Sequence, residues 1–101
     1  METTADEIIG LIKSVEHPEI ANTLDELGML GEIKFDEETK QTTITLVLPM
    51  LNIPIEIRNM ILNGIAEKIR DKTSKLNVSL AEMTEEQRTH FFALSQKNWK
   101  L

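Results

Sequence analysis

Few residues in this chain are suited to chemistry. His17 and Glu19 flank Pro18, and imidazole with carboxylate can ligate several divalent ions. Two ligands do not define a metal site, and the intervening proline fits a plain structural turn. Asp25 and Glu26 are adjacent carboxylates that could divide acid and base roles, but no nucleophile lies near them in sequence. Asp36-Glu37-Glu38 offers oxygen ligands without the spacing of a calcium loop and reads as a solvated hairpin tip. Lys68, Arg70, Lys72 and Lys75 suit either an acidic partner or the carboxyl end of a helix. His90, beside Phe91 and Phe92, reads as a surface or core-edge residue. The chain has no cysteine. This excludes disulfides, a thiolate nucleophile and cysteine-ligated zinc or iron–sulfur groups within it. Neither a metal nor a cofactor is expected.

The elements that must position these residues read as follows. Thr4 with Glu7 matches a capping box. Ile8, Ile12 and Val15 then form the buried stripe of a helix that ends near Glu16, because Pro18 disfavours helical geometry at His17. Residues 22–28 suit a single turn, and Gly28 can take a positive φ before a strand over 29–35. Leu30 and Gly31 fit that strand less decisively. A polar hairpin loop at 36–40 leads to a return strand over 41–48, with Ile44, Leu46 and Leu48 on one face. Pro49 closes that strand, and Pro54 suits the first turn of a helix over 55–72 carrying Ile57, Ile61, Ile65 and Ile69. Leu76, Val78 and Leu80 alternate with Asn77 and Ser79, which predicts a third strand with one buried face. Thr84 and Gln87 form a second capping box and open a last helix with Phe91, Phe92 and Leu94. Trp99 follows a polar stretch and either packs across a dimer interface or folds back onto the sheet. The expected class is α+β in the order α-β-β-α-β-α. The three-stranded sheet should be mixed, its third strand parallel to the second and its helices mainly on one face.

The 101 residues fit one domain spanning 1–101. Eleven basic residues against seventeen acidic ones give a net charge of −6, which argues against general nucleic-acid binding. No apolar run approaches the roughly 20 residues of a membrane span. The opening residues lack the basic and apolar regions of a signal peptide, so a cytoplasmic location is the expectation.

Three motifs point further: Val15-Glu16-His17-Pro18-Glu19-Ile20, Leu24-Asp25-Glu26-Leu27-Gly28-Met29-Leu30, and a hairpin ending in Leu46-Val47-Leu48-Pro49. Together they resemble the small metal–sulfur cluster assembly domain. That domain stands alone in proteins of the Suf-T and PaaD type and forms the amino-terminal domain of Mrp/ApbC-type carrier ATPases. Met83-Thr84-Glu85-Glu86-Gln87-Arg88 is also similar to a late segment of the stand-alone members. The resemblance covers roughly residues 8–95. His17 stands where the family has Asp, and the family cysteine falls near Leu51, Asn52 or Ile53, none of which is Cys.

The resemblance implies a role in iron–sulfur protein maturation, without the thiol that would bind a cluster. The expected function is a non-catalytic accessory or adaptor protein whose partners are iron–sulfur assembly or client proteins. Its contact candidates are His17, Pro18, Glu19, Asp25, Gly28, Met83 and the loop residues Pro49, Met50, Leu51, Asn52 and Ile53. Two alternatives are a small metal-dependent enzyme using His17, Glu19 and Asp25, and a structural domain that forms a homodimer and shares only the fold.

Overall fold

A computed structural model of the chain describes residues 3–100. Helix α1 spans Ala5–Lys13, strand β1 Leu30–Asp36, β2 Gln41–Leu48, helix α2 Ile55–Ile69, strand β3 Lys75–Glu82 and helix α3 Glu85–Asn98. The sheet order is β1-β2-β3, with β1 antiparallel and β3 parallel to β2. The fold is therefore the expected α+β arrangement with a mixed sheet.

Local sequence sets several of these boundaries. The Thr4 hydroxyl accepts from the Glu7 N–H at 3.2 Å, but Glu7 turns its carboxylate to Lys72 at 3.8 Å. Thr84 and Gln87 complete a reciprocal capping box at the start of α3. Ile44, Leu46 and Leu48 are buried, as β2 alternation requires. Ile8, Ile12, Ile61, Ile65 and Ile69 meet them from the helical layer, in which α1 packs on β1 and α2.

Other boundaries are set by distant residues, and here the sequence reading needs correction. Helix α1 stops at Lys13, short of Glu16, because Glu16 leaves to form an antiparallel bridge with Thr23. Helix α2 stops at Ile69, short of Lys72. Beyond it the Ser74 N–H and hydroxyl donate to the carbonyls of Lys40 and Thr39, tying the chain to the hairpin. Pro54 occupies the cap position before Ile55, outside the first turn. In β1, Leu30 pairs with Leu46 but Ile33 pairs with Ile44, so one extra residue bulges between them. That bulge accounts for the ambiguous pattern at Leu30 and Gly31. The third strand lacks a fully buried face: Leu76 and Val78 are half-buried and Leu80 is 43% exposed. Strand β3 is an edge strand, and its apolar residues Leu76, Val78 and Ala81 pack at the margin of the core.

Gly28 has φ +74° and open space around it. A side chain there meets no clash but strains the backbone, so Gly28→Ala should cost about 1–2 kcal/mol. Gly10 lies inside α1, also in open space, and Gly10→Ala should stabilise by about 0.5–1 kcal/mol. Urea titration of both variants checks the opposite signs.

Candidate functional site

Two chain segments converge where β2 ends. Pro49 follows Leu48 and is buried, and its carbonyl accepts from Arg88 Nη1 at 3.1 Å. Arg88 lies on α3 and approaches Glu82 at 4.0 Å, so the last helix holds the start of the 49–54 loop. From there the loop turns outward, leaving Met50 40% and Leu51 54% exposed, with Ile53 half-buried.

The second segment runs from His17 to Gly28. Thr23 and Glu26 cap its single turn reciprocally: the Thr23 N–H donates to Glu26 Oε1 at 2.8 Å and the Glu26 N–H to Thr23 Oγ1 at 3.1 Å. These bonds to the charged form hold the Glu26 carboxyl below its usual range. The same carboxylate therefore has a structural partner and is not free for acid–base work. Exposed His90 reaches this turn from α3, its Nε2 donating to the Glu26 carbonyl at 2.9 Å.

The segment is also zipped to the end of α3. The Ala21 N–H donates to the Asn98 carbonyl at 2.8 Å, the Lys100 N–H to the Glu19 carbonyl at 3.0 Å, and Ile20 bridges Trp99. Lys100 Nζ adds a bond to the His17 carbonyl at 3.2 Å. Trp99 thus folds back along the His17 segment.

His17 is only 4% exposed. Its Nδ1 accepts the Glu19 N–H at 3.0 Å, and its ring meets Phe91 edge-on at 6.4 Å. An N–H donor fixes the tautomer, because Nδ1 must present a lone pair and the ring proton sits on Nε2. Burial first, and the Lys100 ammonium second, lower the His17 pKa from 6.5 to about 4. The ring is therefore a neutral Nε2–H donor at neutral pH. Ligation of a metal by Nε2 would need that proton moved to Nδ1, at the expense of the bond to Glu19. An aspartate at this position would accept the same i+2 N–H in an Asx turn. The histidine reproduces that turn without a charge.

Between the two segments lies a half-open cavity of about 360 Å³. Of the residues singled out in the sequence, His17, Glu19, Pro49, Met50, Asn52 and Ile53 line it. The remaining candidates are elsewhere. Pro18 is half-buried in the turn, Asp25 and Leu51 are exposed, and Gly28 serves the chain reversal. Met83 is 3% exposed and packs in the core, so its side chain presents no contact surface. His17, Glu19 and Asp25 do not assemble, since Asp25 is outside the cavity. Among the described residues no group of three His, Asp or Glu is placed to hold a metal ion. Asp36 closes the hairpin, its Oδ1 accepting from the Glu38 and Thr39 N–H groups.

The sequence reading missed Ser95. It is 9% exposed and lines the cavity with Phe91, Phe92 and Trp99. The spacing 91, 95, 99 is one helix stripe, and it was the available signal.

No helix among the described residues is long and apolar enough to cross a membrane. No family model and no curated protein matches the sequence. Among solved structures, the fold is similar to a domain of unknown function, DUF59, from Bacillus anthracis. The two share 16% identity over 90% of this chain and 91% of that one, with a TM-score of 0.64. The likeness extends over nearly the full length of both chains, and at that identity it is a likeness of fold.

Proposed function

We propose that the chain is a non-catalytic accessory protein of iron–sulfur protein maturation, acting through contacts with assembly or client proteins. The observation that carries this reading is the 49–54 loop. Met50 and Leu51 stand exposed there, beside the buried His17 turn, where the resembled family keeps its cysteine. Exposed apolar side chains at the mouth of a cavity suit a protein contact. The fold neighbour belongs to the DUF59 group, which includes domains related to iron–sulfur assembly, and this supports the same reading. With no thiol on the loop, the contribution is to recognise proteins rather than to ligate clusters.

A capture experiment tests this. Tagged wild type should recover identified iron–sulfur assembly or client proteins from cell extract. A Met50→Asp, Leu51→Asp variant should lose about tenfold or more of that recovery, since both side chains are exposed and the fold does not need them. Equal recovery by the two proteins, or recovery of none of that class, would overturn the reading.

A further inference from the structure

Two polar groups of residues that line the cavity have no hydrogen-bond partner among the described residues. His17 Nδ1 is engaged by the Glu19 N–H, and Nε2–H has no bonding partner among the described residues. The Ser95 hydroxyl likewise has none, although Ser95 is 9% and His17 4% exposed. Yet among the described residues no fully enclosed side-chain nitrogen or oxygen goes unbonded. Both groups must therefore meet open space, and the space both residues line is the cavity.

The walls restrict what can satisfy them. Phe91, Phe92, Trp99, Ile53 and Ile57 present apolar surface, and the aromatic rings favour a flat, ring-bearing occupant. A partner's Leu or Phe side chain would fill the space but strand both donors, which lowers affinity about tenfold. The occupant must therefore carry an acceptor where it meets these two groups. An anion is disfavoured there, because the lining includes Glu19 and no Lys or Arg, and a neutral occupant is enough to satisfy the two donors. The volume of about 360 Å³ lies within the roughly 300–1,000 Å³ of small-molecule sites.

We propose that this cavity binds a small, neutral, ring-bearing molecule through a single carbonyl oxygen, which accepts from His17 Nε2–H and Ser95 Oγ–H between aromatic walls. This site adjoins the proposed protein contact and shares Met50 with it, but its polar groups, His17 and Ser95, are not part of that contact.

Trp99 is the only tryptophan and lines the cavity, so its indole N–H resonance reports occupancy. The probes are 1-indanone, the matching hydrocarbon indane, and indane-1-carboxylate. 1-Indanone should shift the Trp99 signal saturably at millimolar concentration and bind about tenfold tighter than indane. The carboxylate should bind more weakly than the ketone. Ser95→Ala should weaken 1-indanone binding about three- to tenfold and leave indane unchanged. His17→Asn keeps an acceptor for the Glu19 N–H and removes the ring donor, so it should act in the same way. Unfolding temperatures of both variants confirm that they remain folded. No response to any probe would overturn the proposal, as would indane or the carboxylate binding as tightly as the ketone, or ketone affinity indifferent to both variants. The last result would leave the cavity as the seat of an apolar side chain.

Discussion

Leu46→Ala should destabilise the protein by about 2–5 kcal/mol, whereas Leu80→Ala should cost less than about 1 kcal/mol. The two leucines occupy one rung of the sheet, paired across the parallel β2–β3 ladder. Their chemistry is identical and their surroundings are not. Leu46 is fully buried on the central strand under the helical layer, so truncation removes transfer energy and leaves a void. Leu80 is 43% exposed on the edge strand. Domains of this size hold only about 5–15 kcal/mol in total, so the first variant loses a large part of its margin. Urea unfolding should show a midpoint lower by about 1 M or more for Leu46→Ala and little changed for Leu80→Ala. Equal losses would mean that Leu80 is as well covered as Leu46.

The second large effect is on pH dependence and arises from His17. In the folded protein this imidazole resists protonation down to about pH 4, because it is buried and faces the Lys100 ammonium. In the unfolded chain it accepts a proton near pH 6.5. Between these values the unfolded state binds more protons, so stability rises with pH. The contribution is fully present above about pH 6.5 and is lost as the pH falls through about 4. The difference between 6.5 and about 4 corresponds to about 3 kcal/mol. Protonation also replaces the Nδ1 lone pair with a donor, so the Glu19 N–H loses its acceptor. Asp36 and Glu26, whose pKa values are lowered by backbone hydrogen bonds, also favour the folded state at higher pH. Comparison with His17→Asn therefore isolates the histidine. Wild type should lose about 3 kcal/mol relative to that variant between pH 6.5 and 4, and parallel profiles would show that the ring is not held neutral.

What the sequence disclosed was mostly local. Strand β2 was legible over Gln41–Leu48, because alternation and β-branched residues act within the strand itself. The Thr84 capping box was legible because its partners are three residues apart. The positive φ at Gly28 followed from the residue type. The ends of α1 and α2 were not legible, since Thr23 and Lys40 set them from elsewhere in the chain. The β1 bulge and the exposure of Leu80 depend on neighbouring strands and on which helix covers them, which alternation does not encode. The same division runs through the site. Turn and loop chemistry together with the family resemblance marked out His17, Glu19, Pro49, Met50, Asn52 and Ile53, and the fold brings these to one cavity. Asp25 and Met83 carried equal weight in sequence but lie on the surface and in the core. Ser95 lines the cavity because its helix, fastened by residues 98–100, lies across the His17 segment.

That fastening also bears on how the protein folds. Lys100 and His17 are 83 positions apart in sequence, and Asn98 and Asn22 are 76 apart. The β1–β2 hairpin and the β2–α2–β3 unit close much shorter loops and can form first. The walls of the cavity join only once residues 98–100 have been made, after the sheet and its helical layer already have their partners. On a ribosome, the hydrophobic core can therefore assemble while the cavity is still two unconnected edges. In the finished protein the seam is fastened by the backbone hydrogen bonds of Ala21 and Lys100, both exposed residues. The backbone amides of Ala21 and Lys100 should therefore exchange with solvent well before those of Ile44 and Leu46.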